Sequence, residues 1–337
     1  MNRRSIVFGA LLLTALLIVA GCGRQAAQAE KDKVRLQLKW VTQAQFAGYY
    51  AAKEKGFYGE ENLDVTIIPG GPDIVPEQVV AGGGAEFGID WLPSLLSARE
   101  QGAPLVNVAQ VFQYSGMREV AYKTTGIKTA ADLRGRKVAV WFGGNEFELL
   151  ATLDKYKIDR NKDLTLVQQP FDMNLLVNKQ VDAAAAMTYN EYKQVLDAGA
   201  KPEDLVVIDF NQEGTAMLED GVFAREDWLK DAKNKDSAAR FLRASLRGWE
   251  YCRDNPADCV EIVLKQSPTL GKEHQTWMMA EINKLIWGPP ASSAELGYMD
   301  PAAFKRTADI AYRFGVIKKP ADESAFTHEI WETAKKK

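Results

Sequence analysis

The sequence predicts an α/β protein of two lobes, each a mainly parallel sheet flanked by helices, with two strands of chain forming a hinge between them. Three observations carry that prediction. Short apolar, β-branched runs alternate with amphipathic stretches as far as Ala224, the order that builds parallel sheets through helical crossovers. A helix running through a polar turn and an acidic residue into a short apolar strand occurs twice, at Gly83-Gly84-Ala85-Glu86-Phe87-Gly88-Ile89-Asp90 and at Asn178-Lys179-Gln180-Val181-Asp182-Ala183-Ala184-Ala185. Beyond Ala224 the apolar period becomes helical, so little sheet remains to be built and the tail has to pack back on the first lobe.

At the N-terminus, Arg3 and Arg4 precede an apolar stretch, 6–20, that is too short and too early for a membrane span. Val19-Ala20-Gly21-Cys22 closes it as a lipobox. Cleavage before Cys22 would remove the signal peptide, 1–21, and leave the Cys22 thiol to carry diacylglycerol; several acyl chains give stable anchorage. The alternative is an ordinary secretory leader in which Cys22 is incidental. Residues 22–32 lack an apolar period and read as a tether.

Strands are expected at 34–38, 65–68, 87–89, 105–112, 137–140, 164–167, 183–187 and 205–210. Between them, helices are expected at 44–55, 75–81, 93–101, 146–156, 173–178 and 189–197. The tail reads as helices at 238–254, 256–265, 272–287 and 301–314, with Trp249, Trp277 and Trp287 available for packing. Crossings between lobes near 113–119 and 210–215 divide the chain into lobe 1, 33–116 plus 215–337, and an inserted lobe 2, 117–214. The carboxyl ends of such strands are where an open α/β sheet holds a ligand.

Composition excludes several classes. A net charge of −3 without a basic cluster gives no footing for nucleic acid, and 46% hydrophobic content without a second long apolar run suits globular lobes. Of the three cysteines, Cys252 and Cys259 are too far apart for a bridge in one unbroken helix. Asn255-Pro256 breaks that helix, leaving a disulfide or two buried thiols as the alternatives. The two histidines, His274 and His328, both lie in the helical tail. No Gly-x-Ser-x-Gly elbow, His pair or metal-ligand spacing points to catalysis, and no phosphate loop or dinucleotide fingerprint points to a cofactor. Gly82-Gly83-Gly84 lies between a helix and a strand and reads as a turn. Binding without reaction is the expectation.

Leu36-Gln37-Leu38-Lys39-Trp40, then Gln45-Phe46-Ala47-Gly48-Tyr49-Tyr50-Ala51-Ala52-Lys53-Glu54-Lys55-Gly56-Phe57-Tyr58 and Asn62-Leu63-Asp64-Val65, resemble the opening signature of the NMT1/THI5-like, thiamine-precursor-binding family. The resemblance continues through Asp132-Leu133-Arg134-Gly135-Arg136-Lys137-Val138 and Gln180-Val181-Asp182-Ala183. It implies a type II periplasmic-binding-protein fold serving an ABC importer, with a transmembrane permease and an ATPase as partners at the extracytoplasmic face of the membrane. Residues 141–148, 168–173, 187–192, 214–217 and 249–256 are similar to a RibY-type, riboflavin-uptake subgroup. A thiamine pyrimidine precursor, hydroxymethyl- or formylaminopyrimidine, is the alternative ligand. The family's eukaryotic branch includes a pyrimidine synthase using iron, histidine and a cysteine-rich motif, and this chain lacks that motif.

A planar vitamin is held by stacking, with amides and carboxylates reading its edge. In lobe 1, Trp40 follows the first strand, and Gln43 and Tyr50 belong to the next helix, where packing of Tyr49 or Tyr50 between helix and sheet is the alternative. Asp90 and Trp91 end the third strand; Asp90 either accepts from a ligand or caps the helix that follows. In lobe 2, Trp141, Asn145 and Glu146 lie where a strand turns through Gly143-Gly144 into a helix, which Asn145 could cap. Tyr189 can stack, Asn190 can read an amide edge or cap, and Glu191 calls for donors from a ligand or an arginine. Phe171, with Asp172, Met173 and Asn174, is expected on the far wall, Met173 doubling as core filler.

Overall fold

The computed structural model describes residues 30–142, 144–288 and 295–336. The expected leader, Cys22 and the tether as far as residue 29 lie outside the described residues, and Asp32 already belongs to the first strand. Among the described residues no helix is long and apolar enough to cross a membrane.

Two five-stranded sheets share one topology. β1 (Asp32–Gln37), β2 (Leu63–Ile68), β3 (Phe87–Asp90), β4 (Leu105–Gln110) and β10 (Gly221–Arg225) form the first, in the order β2-β1-β3-β10-β4. β5 (Met117–Tyr122), β6 (Lys137–Val140), β7 (Thr165–Gln168), β8 (Ala183–Met187) and β9 (Leu205–Asp209) form the second, in the order β7-β6-β8-β5-β9. In each, three strands run parallel and the fourth member, β10 or β5, is antiparallel to both neighbours. The chain passes between the sheets twice, through 111–116 and 210–220.

The repeated sequence unit occupies the same place in both sheets, leading into β3 and β8. Gly83 and Lys179 both take the left-handed conformation, at φ 76° and 55°. The acidic residues that follow do the same work: Glu86 accepts from the Arg35 backbone N–H of β1 at 2.7 Å, and Asp182 from the Lys137 N–H of β6 at 2.8 Å.

Helices cover the sheets: α1 (Ala47–Glu54), α2 (Phe57–Glu60), α3 (Pro76–Ala81), α4 (Leu92–Glu100), α5 (Phe147–Lys155), α6 (Asn174–Val177), α7 (Glu191–Asp197) and α8 (Phe210–Glu213). The tail adds α9 (Ala232–Asp254), α10 (Pro256–Gln266), α11 (Lys272–Trp287), α12 (Pro301–Arg313) and α13 (Glu329–Lys335). Three differences from expectation have local causes. The helix expected at 44–55 is split by a 3-10 turn at Ala44–Phe46. α9 starts six residues early because Asp231 accepts from Lys233 N and Asn234 N, a side-chain cap. The residues Phe210–Glu213 turn as α8, capped by Asp209, instead of crossing extended.

α1 and α9 lie in close contact, Tyr49 meeting Trp249 edge to face with ring centroids 5.5 Å apart. α9 ends at Asp254, and Pro256 starts α10, which carries Cys259 back to Cys252; the two form a disulfide with Cα atoms 5.5 Å apart. α11 reaches the second sheet's residues: Trp277 Nε1 donates to the Thr188 carbonyl at 3.0 Å, and Lys193 pairs with Glu273 at 3.3 Å.

Candidate functional site

The carboxyl ends of β1, β3, β6 and β8 face one cleft between the sheets. The first sheet's side supplies Lys39, Trp40, Gln43, Gln45 and Trp91 to an inner chamber. The second supplies Trp141, Asn145, Met187, Tyr189, Asn190 and Glu191. That chamber is ≈ 30 Å³, room for about two waters. It adjoins an outer chamber of ≈ 710 Å³, which shares Lys39, Trp40, Trp141 and Asn145 and adds Asp90, Glu146 and Phe171. A volume of that order suits a drug-sized ligand. Trp40 and Phe171, from opposite sides, meet edge to face at 4.9 Å. Both rings also line a third opening of ≈ 430 Å³ beside His274 and Gln275.

The aromatic rings are held by the chain. Trp141 Nε1 donates to the Pro170 carbonyl at 2.9 Å, which fixes the plane of the indole. The buried Trp91 indole N–H faces Asp220, and the Lys39 ammonium lies 5.1 Å from the Trp91 ring centre, a cation–π distance.

Carboxylates occupy the strand-to-helix junctions after β3, β6 and β8. After β3, Asp90 Oδ1 accepts from Trp91 N at 2.6 Å and from Lys39 Nζ at 2.5 Å. After β6, Glu146 Oε2 accepts from Gly144 N at 2.8 Å. After β8, Glu191 accepts from Met187 N at 3.0 Å and from Asn190 Nδ2 at 2.7 Å. Burial pushes Glu191 up to about 7, against the pull of those donors. Burial alone would pull the Lys39 ammonium down; Asp90, Glu77 and Asp220 around it raise it instead. Glu77 is raised by burial and then by Asp90, and its Oε1 has no partner. Burial likewise pushes Asp220 up to about 7, although Gln45 Nε2 donates to it at 2.8 Å.

Most of the residues singled out from sequence come together here: Trp40, Gln43, Asp90, Trp91, Trp141, Asn145, Glu146, Phe171, Tyr189, Asn190 and Glu191 all line the inner or the outer chamber. Tyr50 does not join them. It is buried in the core with α1, its hydroxyl 2.8 Å from Thr42 Oγ1. Helix capping also differs from expectation. Asn145 is not the cap of α5; Glu146 stands at that position. Asn190 stands at the cap of α7 without a capping bond, its side chain bridging His274 Nε2 at 2.7 Å and Glu191. Glu191 takes its donors from the chain and not from an arginine, because Met187 N and Asn190 lie nearer. Met173 is core. Lys39, Gln45, Glu77 and Asp220 were missed: each reads as a solvated polar residue until a partner distant in sequence encloses it, 51 residues away for Lys39 and Asp90 and 175 for Gln45 and Asp220. Among the described residues no cluster of His, Cys, Asp or Glu has the makings of a metal site.

Comparison with known proteins follows the geometry. The riboflavin-binding protein RibY of Chloroflexus aurantiacus is 26% identical over 314 residues, 90% of this chain and 87% of that protein. A formylaminopyrimidine-binding protein of Halalkalibacterium halodurans is 25% identical, covering 75% of this chain and 77% of its own length. A 4-amino-5-hydroxymethyl-2-methylpyrimidine phosphate synthase of Legionella pneumophila is 23% identical over 71% of this chain and 75% of its own. Among solved structures, a putative sulfonate ABC transporter periplasmic sulfonate-binding protein of Methylobacillus flagellatus superposes with a TM-score of 0.65 at 18% identity, covering 90% of this chain and 94% of that one. That likeness establishes a periplasmic-binding-protein fold of two α/β lobes. The model of the family described as NMT1/THI5 like matches residues 43–259, well over half of the chain, and the protein belongs to that family.

Proposed function

We propose that the protein is the substrate-binding component of an ABC importer, that it captures riboflavin between its two sheets, and that it releases the vitamin unaltered to a membrane permease driven by an ATPase. The observation that carries this reading is the convergence of Trp40, Trp91, Trp141 and Tyr189, from both sheets, on one chamber. The inner chamber is too small for a ring, so a flat ring would lie in the adjoining 710 Å³ against Trp40, Trp141 and Phe171, with Ser94, Ser97, Gln78 and Gln168 on the walls for a polyol tail. Capture would proceed by closure, since a ligand touching both lobes favours the state that brings them together. The name of the Chloroflexus relative points the same way. In the same reading the lobes are 33–116 with 215–337, and 117–214; residues 1–21 are removed, Cys22 carries lipid, and the protein works at the extracytoplasmic face of the cell membrane.

The second reading keeps the role and changes the ligand to a thiamine pyrimidine precursor, favoured by the Halalkalibacterium relative. Titration separates the two. Riboflavin fluorescence should be quenched in a saturable way on mixing with purified, unlipidated protein, and chromatography should recover the vitamin unchanged. An unaltered signal together with tight pyrimidine binding by calorimetry reverses the order, and consumption of either compound establishes an enzyme. In cells, the chain should fractionate with membranes and Cys22→Ser should not.

A further inference from the structure

We propose that the cleft selects an uncharged ligand and rejects its phosphorylated counterpart, because the chain's own carboxylates line it, hold a backbone donor at three strand ends and already pair its one lysine. The inference rests on the reading above that this cleft is the ligand site. In an α/β protein an anionic group docks against free N–H groups where strands pass into helices. At three of the strand ends a carboxylate of the chain already holds a nearby backbone donor. Asp90 holds Trp91 N, Glu146 holds Gly144 N, and Glu191 holds Met187 N, each within 3.0 Å.

Side-chain charge adds to the effect. Among the described residues lining the inner and outer chambers, Lys39 is the single basic side chain. It faces Asp73, Asp90 and Glu146 from the same walls, with Glu77 and Glu191 both raised by burial, and its ammonium is already bound to Asp90 at 2.5 Å. An incoming phosphate would have to displace a buried ion pair to reach its one cation, and would meet carboxylates elsewhere. Like-charge contact of this kind discriminates strongly between otherwise similar ligands. Neutral hydroxyl, imino and amino groups meet no such barrier, since they can donate to the carboxylate oxygens and accept from the amides nearby.

The test begins with inorganic phosphate alone, followed by the fluorescence of the cleft tryptophans. No saturable change is expected up to high millimolar concentration; saturable binding abolished by Trp141→Ala would overturn the proposal whatever the natural ligand is. Calorimetry then compares riboflavin with riboflavin 5′-phosphate, and hydroxymethylpyrimidine with its phosphate ester. For whichever parent compound binds, the ester should bind about a hundredfold more weakly. Glu146→Gln removes one carboxylate at constant size and should narrow that gap about tenfold. An ester that binds within a few-fold of its parent sinks this inference and leaves the riboflavin or pyrimidine reading standing. If neither parent binds, that reading falls, and the phosphate titration still decides this one.

Discussion

Trp40 and Glu191 sit on the same chamber and do different things there. Trp40 is partly buried, and its one ring contact, with Phe171, spans the cleft. The indole packs against the edge of the core as well, so Trp40→Ala should weaken riboflavin binding about tenfold or more while lowering stability by only about 1 kcal/mol. Glu191 is buried and spends both oxygens on the β8–α7 junction. Glutamine in its place would turn an amide N–H toward one of those two donors, so Glu191→Gln should lower stability by about 1–3 kcal/mol. Equilibrium unfolding and calorimetry on both variants check this, and the reverse assignment of affinity and stability would refute it. The aromatic part of the site was legible in the sequence because a Trp or Tyr directly after an apolar strand has few other places to go. Of the charged floor only Asp90 was legible: Lys39, Glu77 and Asp220 acquire meaning from enclosure by one another and by Asp90, and no local pattern announces it.

Between elements, the tightest constraint is the crossing of α1 and α9. A Cβ on Gly48 would lie 2.2 Å from Trp249 Cδ2, and one on Gly248 would lie 2.0 Å from the Gly48 carbonyl oxygen. The two backbones approach this closely because neither helix carries a side chain at the contact, and Trp249 fills the remaining space. Gly48→Ala should therefore cost about 1–3 kcal/mol through forced separation, although alanine is the better helix former. Gly271→Ala, where nothing lies within 4 Å, should stay within about 0.5 kcal/mol. Thermal unfolding of both distinguishes packing from propensity: equal losses would remove the packing argument. The parallel strands and their helices were readable because each is apolar, bounded by turns and repeated in register with its counterpart in the other sheet. β5 and β10 escaped. Arg118 and Glu119 interrupt the apolar run of β5, and Glu219 and Asp220 directly precede β10, so both segments look like surface chain. Their antiparallel place in the middle of each sheet depends on partners far away in sequence.

At the scale of the molecule, the two segments joining the sheets are bound to each other by buried carboxyl groups. Glu219 Oε1, on the return segment, accepts from Gly116 N at 3.0 Å and lies 2.6 Å from Ser115 Oγ. Glu148 of α5 accepts from Met217 N at 2.6 Å and lies 2.9 Å from the same Ser115 hydroxyl. One hydroxyl proton cannot serve two carboxylates, so one carboxyl must carry a proton of its own. Burial raises both groups: Glu148 well above the ordinary range, with Glu219 adding to it, and Glu219 up to about 7. In the unfolded chain both titrate as ordinary glutamates, so between the ordinary carboxylate range and neutrality the folded protein holds more protons than the unfolded one. The stabilisation is then fully present below the ordinary glutamate range and is lost as the pH rises from there through about 7, at about 1.4 kcal/mol per pH unit for each extra proton that the folded protein holds. Glu191 and Asp220, also pushed to about 7, act in the same direction. At the acid end the opposite case applies: hydrogen bonds from Arg240 and Lys233 depress Asp32, and its contribution is lost when the pH falls through that lowered value. Stability should accordingly be greatest near about pH 4–5 and decline from there through about pH 7. The urea midpoint measured across that range checks it, and Glu219→Gln, which keeps size and hydrogen-bonding capacity without the titration, should flatten the decline. A midpoint that rises or stays level from mildly acid to mildly alkaline pH would mean that these buried carboxyls are ionised in the folded protein.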